Sequence, residues 1–473
     1  MLHIQSRQQR LCSGPTRRDL FRVGAGLLGI GLEPEVAEAE ATARRVRAKS
    51  VVFVFLFGGP SQLETFDLKP DAPEAIRGPF RPIASKTPGL LICEHLPKLA
   101  AMSNRYAVVR TVTHPQNDHN ACHYIQTGHP MPPAQRGAAG VDATDRDWPA
   151  MGSVVEYLDE RSPERRRGIP SFVYLPNRLG HIQGYDRSGQ YGGWLGRAYD
   201  PLATNIGKRG PTDNPYFRAC SDEDLDFRLK GLSTPEQISL SRLDRRRDLL
   251  TQFDDQRREL EGRDPGLFSN RQRRALDLLS SNRIHAALDL KRESDSMRDR
   301  YGRNLFGQTA LMGRRMIEAG ARFVTVLWDA PDGYSWDSHR NSDDVKQHLL
   351  PGLDRGLSAL LSDLEERGLL KETLVVCLGE MGRTPKGNTQ WGRDHWSYCF
   401  PALLAGAGVR GGALLGKSDD QAGYPVEDPV SPEDLSATVF DALGINPHMT
   451  IPDPQGRPTA LMDGGVPLRS LFG

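Results

Sequence analysis

The chain has 473 residues, of which 38% are hydrophobic and 26% charged, and its formal net charge is +1 at pH 7. This composition is typical of a soluble globular protein, and the length fits one large domain with insertions or two domains. The balanced charge gives no global sign of a nucleic-acid or membrane-surface partner. The six cysteines form no Cys-x-x-Cys pair, so a zinc knuckle and a dithiol redox motif have no support.

The N-terminus has the three parts of an export signal. The paired Arg17 and Arg18 precede an apolar run at residues 23–32, and small-x-small cleavage sites follow at residues 37–41. We therefore predict that residues 1–41 are a twin-arginine (Tat) signal peptide and that the protein is periplasmic or secreted. The alternative is a basic tail beside a buried helix. The run is shorter than the ~20 residues of a membrane span, and no later segment is long and apolar enough, so we expect no integral membrane segment after cleavage.

Four apolar, β-branched runs predict strands. They lie at residues 51–57, 106–112, 322–328 and 373–378. Each ends in polar or Gly-rich sequence, as a buried parallel strand does. Leucines at helical spacing predict a helix at residues 348–367, between the third and fourth strands. Strand, helix and strand in this order form a crossover unit, which predicts an α/β fold with a doubly wound, mainly parallel sheet.

The middle of the chain differs from this pattern. Residues 142–235 are rich in Gly, Pro and aromatic residues, whereas residues 235–318 are highly charged with helical patterning. Two runs of arginines there fit either a binding surface or the solvated faces of helices. We predict one domain at residues 42–473, with a helical and loop-rich insertion at about 141–318.

Residues suited to metal binding and catalysis cluster where the predicted strands end. Ligands of open α/β sheets bind beyond the carboxyl ends of the strands. The candidate metal ligands are Asp67, His123, Asp337, His339, Glu380, Asp394 and His395, and the candidate catalytic residues are Asp118, His119, Arg383 and Arg393. A mixed set of His and carboxylates suits zinc, manganese or iron, whereas carboxylates alone suit calcium or magnesium.

Each candidate taken alone has a second reading. His119 and His123 are four residues apart, so on one helix they could ligate the same ion, or they could cap and pack that helix. Asp337 and His339 fit a metal pair or a turn. Glu380 fits a ligand or a charge near a helix N-terminus.

Two arginines are candidates for anion binding. Arg383 and Arg393 could hold phosphate or sulfate, because the planar guanidinium matches the spacing of oxyanion oxygens. They could equally form ion pairs with the neighbouring carboxylates.

Five motifs in a fixed order resemble an exported bacterial family with a domain of unknown function, DUF1501, which is related to sulfatases. The motifs are Thr16-Arg17-Arg18-Asp19, Gly58-Gly59-Pro60-Ser61-Gln62 with Phe66-Asp67-Leu68-Lys69-Pro70, Trp336-Asp337-Ser338-His339, Gly379-Glu380-Met381-Gly382-Arg383-Thr384-Pro385 and Gly392-Arg393-Asp394-His395-Trp396. The resemblance covers essentially the whole mature chain. It implies an alkaline-phosphatase/sulfatase-like fold and leaves the substrate open.

The sequence departs from the wider alkaline-phosphatase superfamily at the nucleophile. The superfamily has a metal-bound Ser, Thr or Cys-derived nucleophile nine residues before a Thr-Gly pair, and here that position is Asp118. An Asp-His ligand pair reads Glu380-Met381, and the metal Asp after the first strand is absent, with Asp67 further along. His395, Asp337 and His339 fit the remaining ligands, so the resemblance implies one metal site rather than two.

These features predict a metal-dependent hydrolase of sulfate or phosphate esters on a small molecule or a polysaccharide. A divalent ion, zinc or calcium, would polarise the ester and lower the pKa of a bound water. Asp118 or His119 would orient that water or act as base, and Arg383 or Arg393 would bind the oxyanion. The alternatives are a catalytically inactive protein that binds a metal or another ligand on the same fold, and a structural envelope component.

Overall fold

The computed structural model describes residues 46–132, 141–163, 168–181, 184–210, 213–229, 281–329 and 335–473. The predicted signal peptide at residues 1–41 and both runs of arginines lie outside the described residues. The signal peptide, the domain boundaries and the roles of those arginines therefore stay predictions.

The described chain contains strands of two to seven residues and short to long helices. The strands are β1 (Ser50–Leu56), β2 (Pro82–Ala84), β3 (Leu91–Cys93), β4 (Tyr106–Val112), β5 (Phe172–Leu175), β6 (Leu202–Asn205), β7 (Arg228–Leu229), β8 (Phe323–Trp328), β9 (Thr373–Leu378), β10 (Gly382–Arg383), β11 (His395–Trp396), β12 (Phe400–Ala405), β13 (Leu414–Leu415), β14 (Lys417–Ser418), β15 (Pro425–Glu427), β16 (Thr450–Pro452) and β17 (Pro458–Ala460). The α-helices are α1 (Glu74–Arg77), α2 (Pro97–Ala101), α3 (Ala121–Thr127), α4 (Met151–Glu160), α5 (Asn282–Leu288), α6 (Asp295–Tyr301), α7 (Leu305–Ala319), α8 (Leu350–Glu366) and α9 (Pro432–Ala442). None of these helices combines the length and apolarity that crossing a membrane requires.

Nine of the described strands form one central sheet in the order β13-β4-β12-β9-β1-β8-β5-β6-β7. β1 pairs in parallel with both β8 and β9, and β5 pairs in parallel with β8. β12 is antiparallel to both of its neighbours, β4 and β9. The sheet is mainly parallel, so the predicted α/β class is confirmed.

Helices cover both faces of this sheet. The side chains of β1 alternate between the faces because successive residues of a strand point in opposite directions. Val52 and Val54 join a core that includes residues of α7 and α8. Phe53 and Phe55 join a second core that includes residues of α4 and α9. Two apolar cores on opposite faces make the sheet doubly wound, as the sequence predicted.

The range predicted to be an insertion, about 141–318, contributes to this framework. β5 belongs to the central sheet, and α7 packs on β8 and α8. Asn304 begins α7 by accepting a hydrogen bond from the Gly307 N–H, and Gly320 ends it at φ 111°. Residues of this range therefore take part in the core.

Candidate metal centre

The candidate residues follow strands that end at the same edge of the sheet. β1, β8 and β9 run in parallel, and β4 points the same way because β12 is antiparallel to both β4 and β9. The segments that follow these four strands therefore leave the sheet on the same side. This arrangement brings together His119 after β4, Asp337 and His339 after β8, and Glu380 after β9.

Asp337 lies at the centre of a group of three histidines. Its Oδ2 is 3.1 Å from Nε2 of His119. Its Oδ1 is 3.0 Å from Nε2 of His339 and 3.2 Å from Nε2 of His395. We call His119, Asp337, His339 and His395 the Asp337 cluster.

The spacing within the Asp337 cluster matches that of ligands around one ion. One ligand atom each of His119, Asp337 and His395 lies within 4.8 Å of the other two. Nε2 of His339 is 3.0 Å from Nε2 of His395. Ligands at about 2 Å from a tetrahedral ion are about 3.3 Å from one another. These residues could therefore hold a metal ion with three imidazole nitrogens and one carboxylate.

Glu380 supports the cluster from behind His119. Its side chain is fully buried, and its Oε1 lies 2.7 Å from Nδ1 of His119. Both carboxylate oxygens accept hydrogen bonds from the Gly58 backbone N–H, at 3.0 and 3.1 Å. With a proton on Nδ1 directed at Glu380, His119 presents Nε2 to Asp337. The structure thus places Glu380, a predicted ligand, beside a ligand rather than among the converging atoms.

Asp394 has the same relation to His339. Its Oδ1 lies 2.8 Å from Nδ1 of His339, and its side chain is 81% exposed. Carboxylates that accept from Nδ1 orient metal-binding histidines in many proteins. Two of the three histidines therefore have their Nε2 directed at Asp337 by a second carboxylate, one buried and one exposed.

The charges of the cluster depend on one another. Burial opposes ionisation of Asp337, but hydrogen bonds from His119, His339 and His395 outweigh it and hold its pKa well below the usual range. Burial also disfavours the charged form of His119 and so lowers its pKa, but its hydrogen bonds to Asp337 and Glu380 outweigh this and raise the pKa to about 9. The hydrogen bond to Asp337 raises the pKa of His339 in the same way. The two carboxylates thus favour a cation at this place.

Asp67, a predicted metal ligand, lies outside the Asp337 cluster. It is buried, its Oδ1 lies 3.1 Å from Nζ of Lys69, and it accepts a short hydrogen bond from Ser418. These partners satisfy and neutralise the carboxylate. Its contacts are those of a buried ion pair.

His123 also lies outside the cluster. Its Nδ1 is 2.8 Å from Oγ of Ser188, which donates to Asp147 at 2.5 Å. Burial lowers the pKa of His123 to about 4, so the ring is neutral. The expectation that His119 and His123 share a helix face does not hold, because α3 begins after His119, at Ala121.

Arg383 acts on the cluster through Asp337. Its side chain is 0% exposed, and it donates to the carbonyl oxygens of Gly58 and Gly59 and, at 2.5 Å, to Oδ1 of Asp337. A guanidinium enclosed by these acceptors does not fit the predicted oxyanion role. It holds the carboxylate in place.

Arg393 is a buried structural cation. It is 2% exposed and donates to Glu64 at 2.8 Å and to the carbonyl oxygens of Ile76 and Thr384 at 2.9 and 3.1 Å. The predicted oxyanion role does not fit these contacts either. The alternative of an ion pair with a carboxylate is the one that the structure contains.

Asp118 precedes the first histidine of the cluster. Its Oδ1 accepts a hydrogen bond from the Asn120 N–H at 2.8 Å, which shapes the turn into α3. The residue is half-buried. Its carboxylate therefore lies next to His119 in the chain, with one oxygen engaged in the turn.

Gly58 is a site residue that sequence reasoning treated only as part of a turn. Its φ is 109°, and a Cβ there would lie 2.3 Å from the backbone N of Asp337. Only glycine fits this approach, which lets the Gly58 N–H reach Glu380. The sequence feature that could have indicated this role is the Gly-Gly pair directly after a buried strand, because the backbone of another segment can come close to a glycine.

A model of the family described as protein of unknown function, DUF1501, matches residues 48–472 of the chain. No curated protein matches it.

Several solved structures are similar to this chain at low sequence identity. A phosphonate monoester hydrolase from Silicibacter pomeroyi has 13% identity and a TM-score of 0.37, over 90% of this chain and 76% of the other. A 2-O GAG sulfatase has 10% identity and a TM-score of 0.39, over 90% and 74%. A protein in the alkaline phosphatase superfamily from Vibrio parahaemolyticus has 11% identity and a TM-score of 0.33, over 84% and 67%.

Proposed function

The chain belongs to the DUF1501 family, and we propose that it is a metal-dependent hydrolase of sulfate or phosphate esters with a single metal centre. The observation that carries this proposal is the convergence of three imidazole Nε2 atoms on the carboxylate of Asp337. The proposed substrate class, an ester of a small molecule or a polysaccharide, is supported by the relation of this family to sulfatases.

We propose zinc as the ion. Three nitrogens and one carboxylate oxygen are a donor set that suits zinc, and it is less characteristic of manganese and iron. Calcium takes six to eight oxygen ligands, so this donor set does not suit it. Of the two ions that the sequence suggested, zinc therefore fits these residues and calcium does not.

The residues at this site would have three roles in hydrolysis: binding the ion, orienting its ligands and accepting a proton. A bound divalent ion polarises an ester oxygen and lowers the pKa of a coordinated water. His119, Asp337, His339 and His395 would hold the ion, which would expand its coordination to take up the water, and Glu380 and Asp394 would fix two of the rings. Asp118, next to His119 and with one carboxylate oxygen outside the turn hydrogen bond, would accept the proton of the attacking water.

The test is an assay of purified, zinc-loaded protein on aryl sulfates and on phosphate mono- and diesters. We expect hydrolysis of one class, loss of activity in His395→Ala and Asp337→Ala, and retained activity in the control Lys69→Met, which alters the ion pair of Asp67 outside the cluster. Activity that survives both cluster variants would contradict the mechanism.

A second candidate is a metal-binding protein without turnover. The specific observation in its favour is Asp118, which stands at the superfamily's nucleophile position and has one oxygen engaged by the Asn120 N–H. A stoichiometric zinc ion in protein that hydrolyses none of these esters would favour this candidate over the hydrolase.

We also propose that the protein works outside the cytoplasm. The support is the order of paired arginines, apolar run and small-residue sites within residues 1–41. Replacing Arg17 and Arg18 by lysines should retain the protein in the cytoplasm, and cell fractionation measures this. Unchanged export of the variant would contradict the twin-arginine route.

A further inference from the structure

Arg187 is a half-buried cation whose guanidinium packs on aromatic rings. Its guanidinium carbon lies 4.9 Å from the ring centre of Phe57 and 5.4 Å from that of Tyr185. Its Nε is buried and has no hydrogen-bond partner. Within the described residues no carboxylate forms an ion pair with it. A buried N–H without an acceptor costs free energy, which an acceptor on a ligand would recover.

This cation lies close to the Asp337 cluster. Phe57 follows the last residue of β1, and its ring centre is 5.0 Å from the ring centre of His119. Arg187 is 4.9 Å from the same Phe57 ring. The guanidinium is therefore no farther than about 10 Å from the His119 ring.

The loop that carries Arg187 is fixed to the helix that follows His119. A Cβ on Gly189 would lie 2.4 Å from Cα of His123, so the loop backbone touches α3. Ser188 is tied to Nδ1 of His123 at 2.8 Å. Because α3 begins two residues after His119, Arg187 and the cluster share one rigid support.

Arg187 differs from the two arginines that the sequence put forward for anion binding. Arg383 and Arg393 are buried and surrounded by protein acceptors, including Asp337 and Glu64 respectively. The guanidinium of Arg187 packs on rings, and within the described residues its buried Nε has no hydrogen-bond partner. Of these three arginines, Arg187 is thus the one that the described protein acceptors do not surround.

We infer that Arg187 binds the charged oxygens of a tetrahedral oxyanion whose remaining oxygen is held at the Asp337 cluster. This inference rests on the proposed function and specifies its ligand as the anionic group of a sulfate or phosphate ester. The fork of guanidinium donors pairs with two oxygens of such a group, and Phe57 holds the fork at one orientation. Arg187 then acts as a substrate-binding residue beside the metal ligands.

The test measures binding of inorganic phosphate and inorganic sulfate to zinc-loaded protein by calorimetry, with zinc content measured on the same samples. The variants are Arg187→Gln and Arg187→Lys. The matched control is Arg178→Gln, another arginine on an aromatic ring, 5.1 Å from the ring centre of Tyr191.

We expect one oxyanion per chain in the wild type and in Arg178→Gln. Arg187→Gln should bind at least about tenfold more weakly while keeping its zinc, and Arg187→Lys should lie between them, since lysine keeps the charge and loses the fork. Equal affinity in Arg187→Gln, or zinc-loaded wild type that binds neither anion, would overturn the inference and leave the metal centre standing. Absence of zinc from the wild type would refute the proposed function, and this inference with it.

Discussion

Nε2 of His339 and Nε2 of His395 face each other at 3.0 Å. Two imidazole nitrogens at this separation cannot both carry a proton directed at the other, so at least one presents a lone pair. Both also lie within 3.2 Å of Oδ1 of Asp337. An imidazole lone pair and a carboxylate aimed at one point are the chemistry of a cation site, and this relationship underlies the proposed function.

The first prediction concerns Glu380→Gln. A glutamine oxygen in the place of Oε1 can still accept from both the Gly58 N–H and Nδ1 of His119, but the negative charge that strengthens the bond to His119 is lost, and the NH₂ group then faces the Gly58 N–H. We expect zinc affinity about 10- to 100-fold below that of the wild type, measured by competition with a chromophoric chelator. The control is Asp394→Asn, where the partner carboxylate is 81% exposed and the loss should be smaller. An equal or larger effect of Asp394→Asn would contradict the assigned roles.

The second prediction concerns Arg393→Met. This change removes the partner of Glu64, which is 3% exposed, and leaves a buried carboxylate unpaired. We expect the free energy of unfolding to fall by about 3–5 kcal/mol in urea denaturation. The double variant with Glu64→Gln should recover part of this loss. Unchanged stability combined with weakened phosphate binding would instead restore the oxyanion role that the sequence suggested for Arg393.

The third prediction concerns pH. His123 has a pKa of about 4 in the folded protein, because of burial, against an ordinary value of 6.5. Below pH 6.5 His123 is protonated in the unfolded chain but stays neutral in the folded protein. The contribution of His123 to the free energy of unfolding therefore falls as the pH drops, and it is lost by about pH 4. Between pH 7 and pH 5 it should lower the free energy of unfolding by about 2 kcal/mol.

The measurement compares wild type and His123→Asn, whose amide can still donate to Ser188. Urea denaturation at pH 7 and pH 5 should show a smaller loss for the variant, even if it is less stable overall. Asp147 and His129 also act on the His123 charge and stay unchanged in both proteins. An identical loss in both proteins would contradict this account.

The sequence predicted four strands of the central sheet and missed the other five that the structure describes, among them β12 and β5. β12 reads Phe-Pro-Ala-Leu-Leu-Ala, and a proline argues against a central strand because it cannot donate to a neighbour. The structure accommodates Pro401 at an irregularity between Phe400 and Ala402 in the pairing with β4. β5 is only four residues long within a loop-rich stretch, so its sequence shows too little periodicity to be recognised.

The sequence predicted much of the candidate site for a simple reason. Parallel strands end on one side, so residues that follow different strands were expected to meet, and His119, Asp337, His339 and His395 do. The rule cannot tell where a helix begins, so it could not separate His123 from His119.

The directions of the arginine side chains could not be predicted from the sequence either. Neither the burial of Arg383 and Arg393 nor the unpartnered Nε of Arg187 follows from residue type or spacing. Whether a guanidinium faces protein or ligand depends on which distant carbonyls and carboxylates surround it, and those come from other parts of the chain.

The most direct test of the Asp337 cluster is the metal content of the purified protein after loading with zinc and removal of excess metal. Elemental analysis should find one tightly held zinc per chain in the wild type. It should find little or none in His395→Ala or Asp337→Ala, with both variants folded by circular dichroism. Zinc retained at full stoichiometry in both variants, or absent from the wild type, would contradict the account.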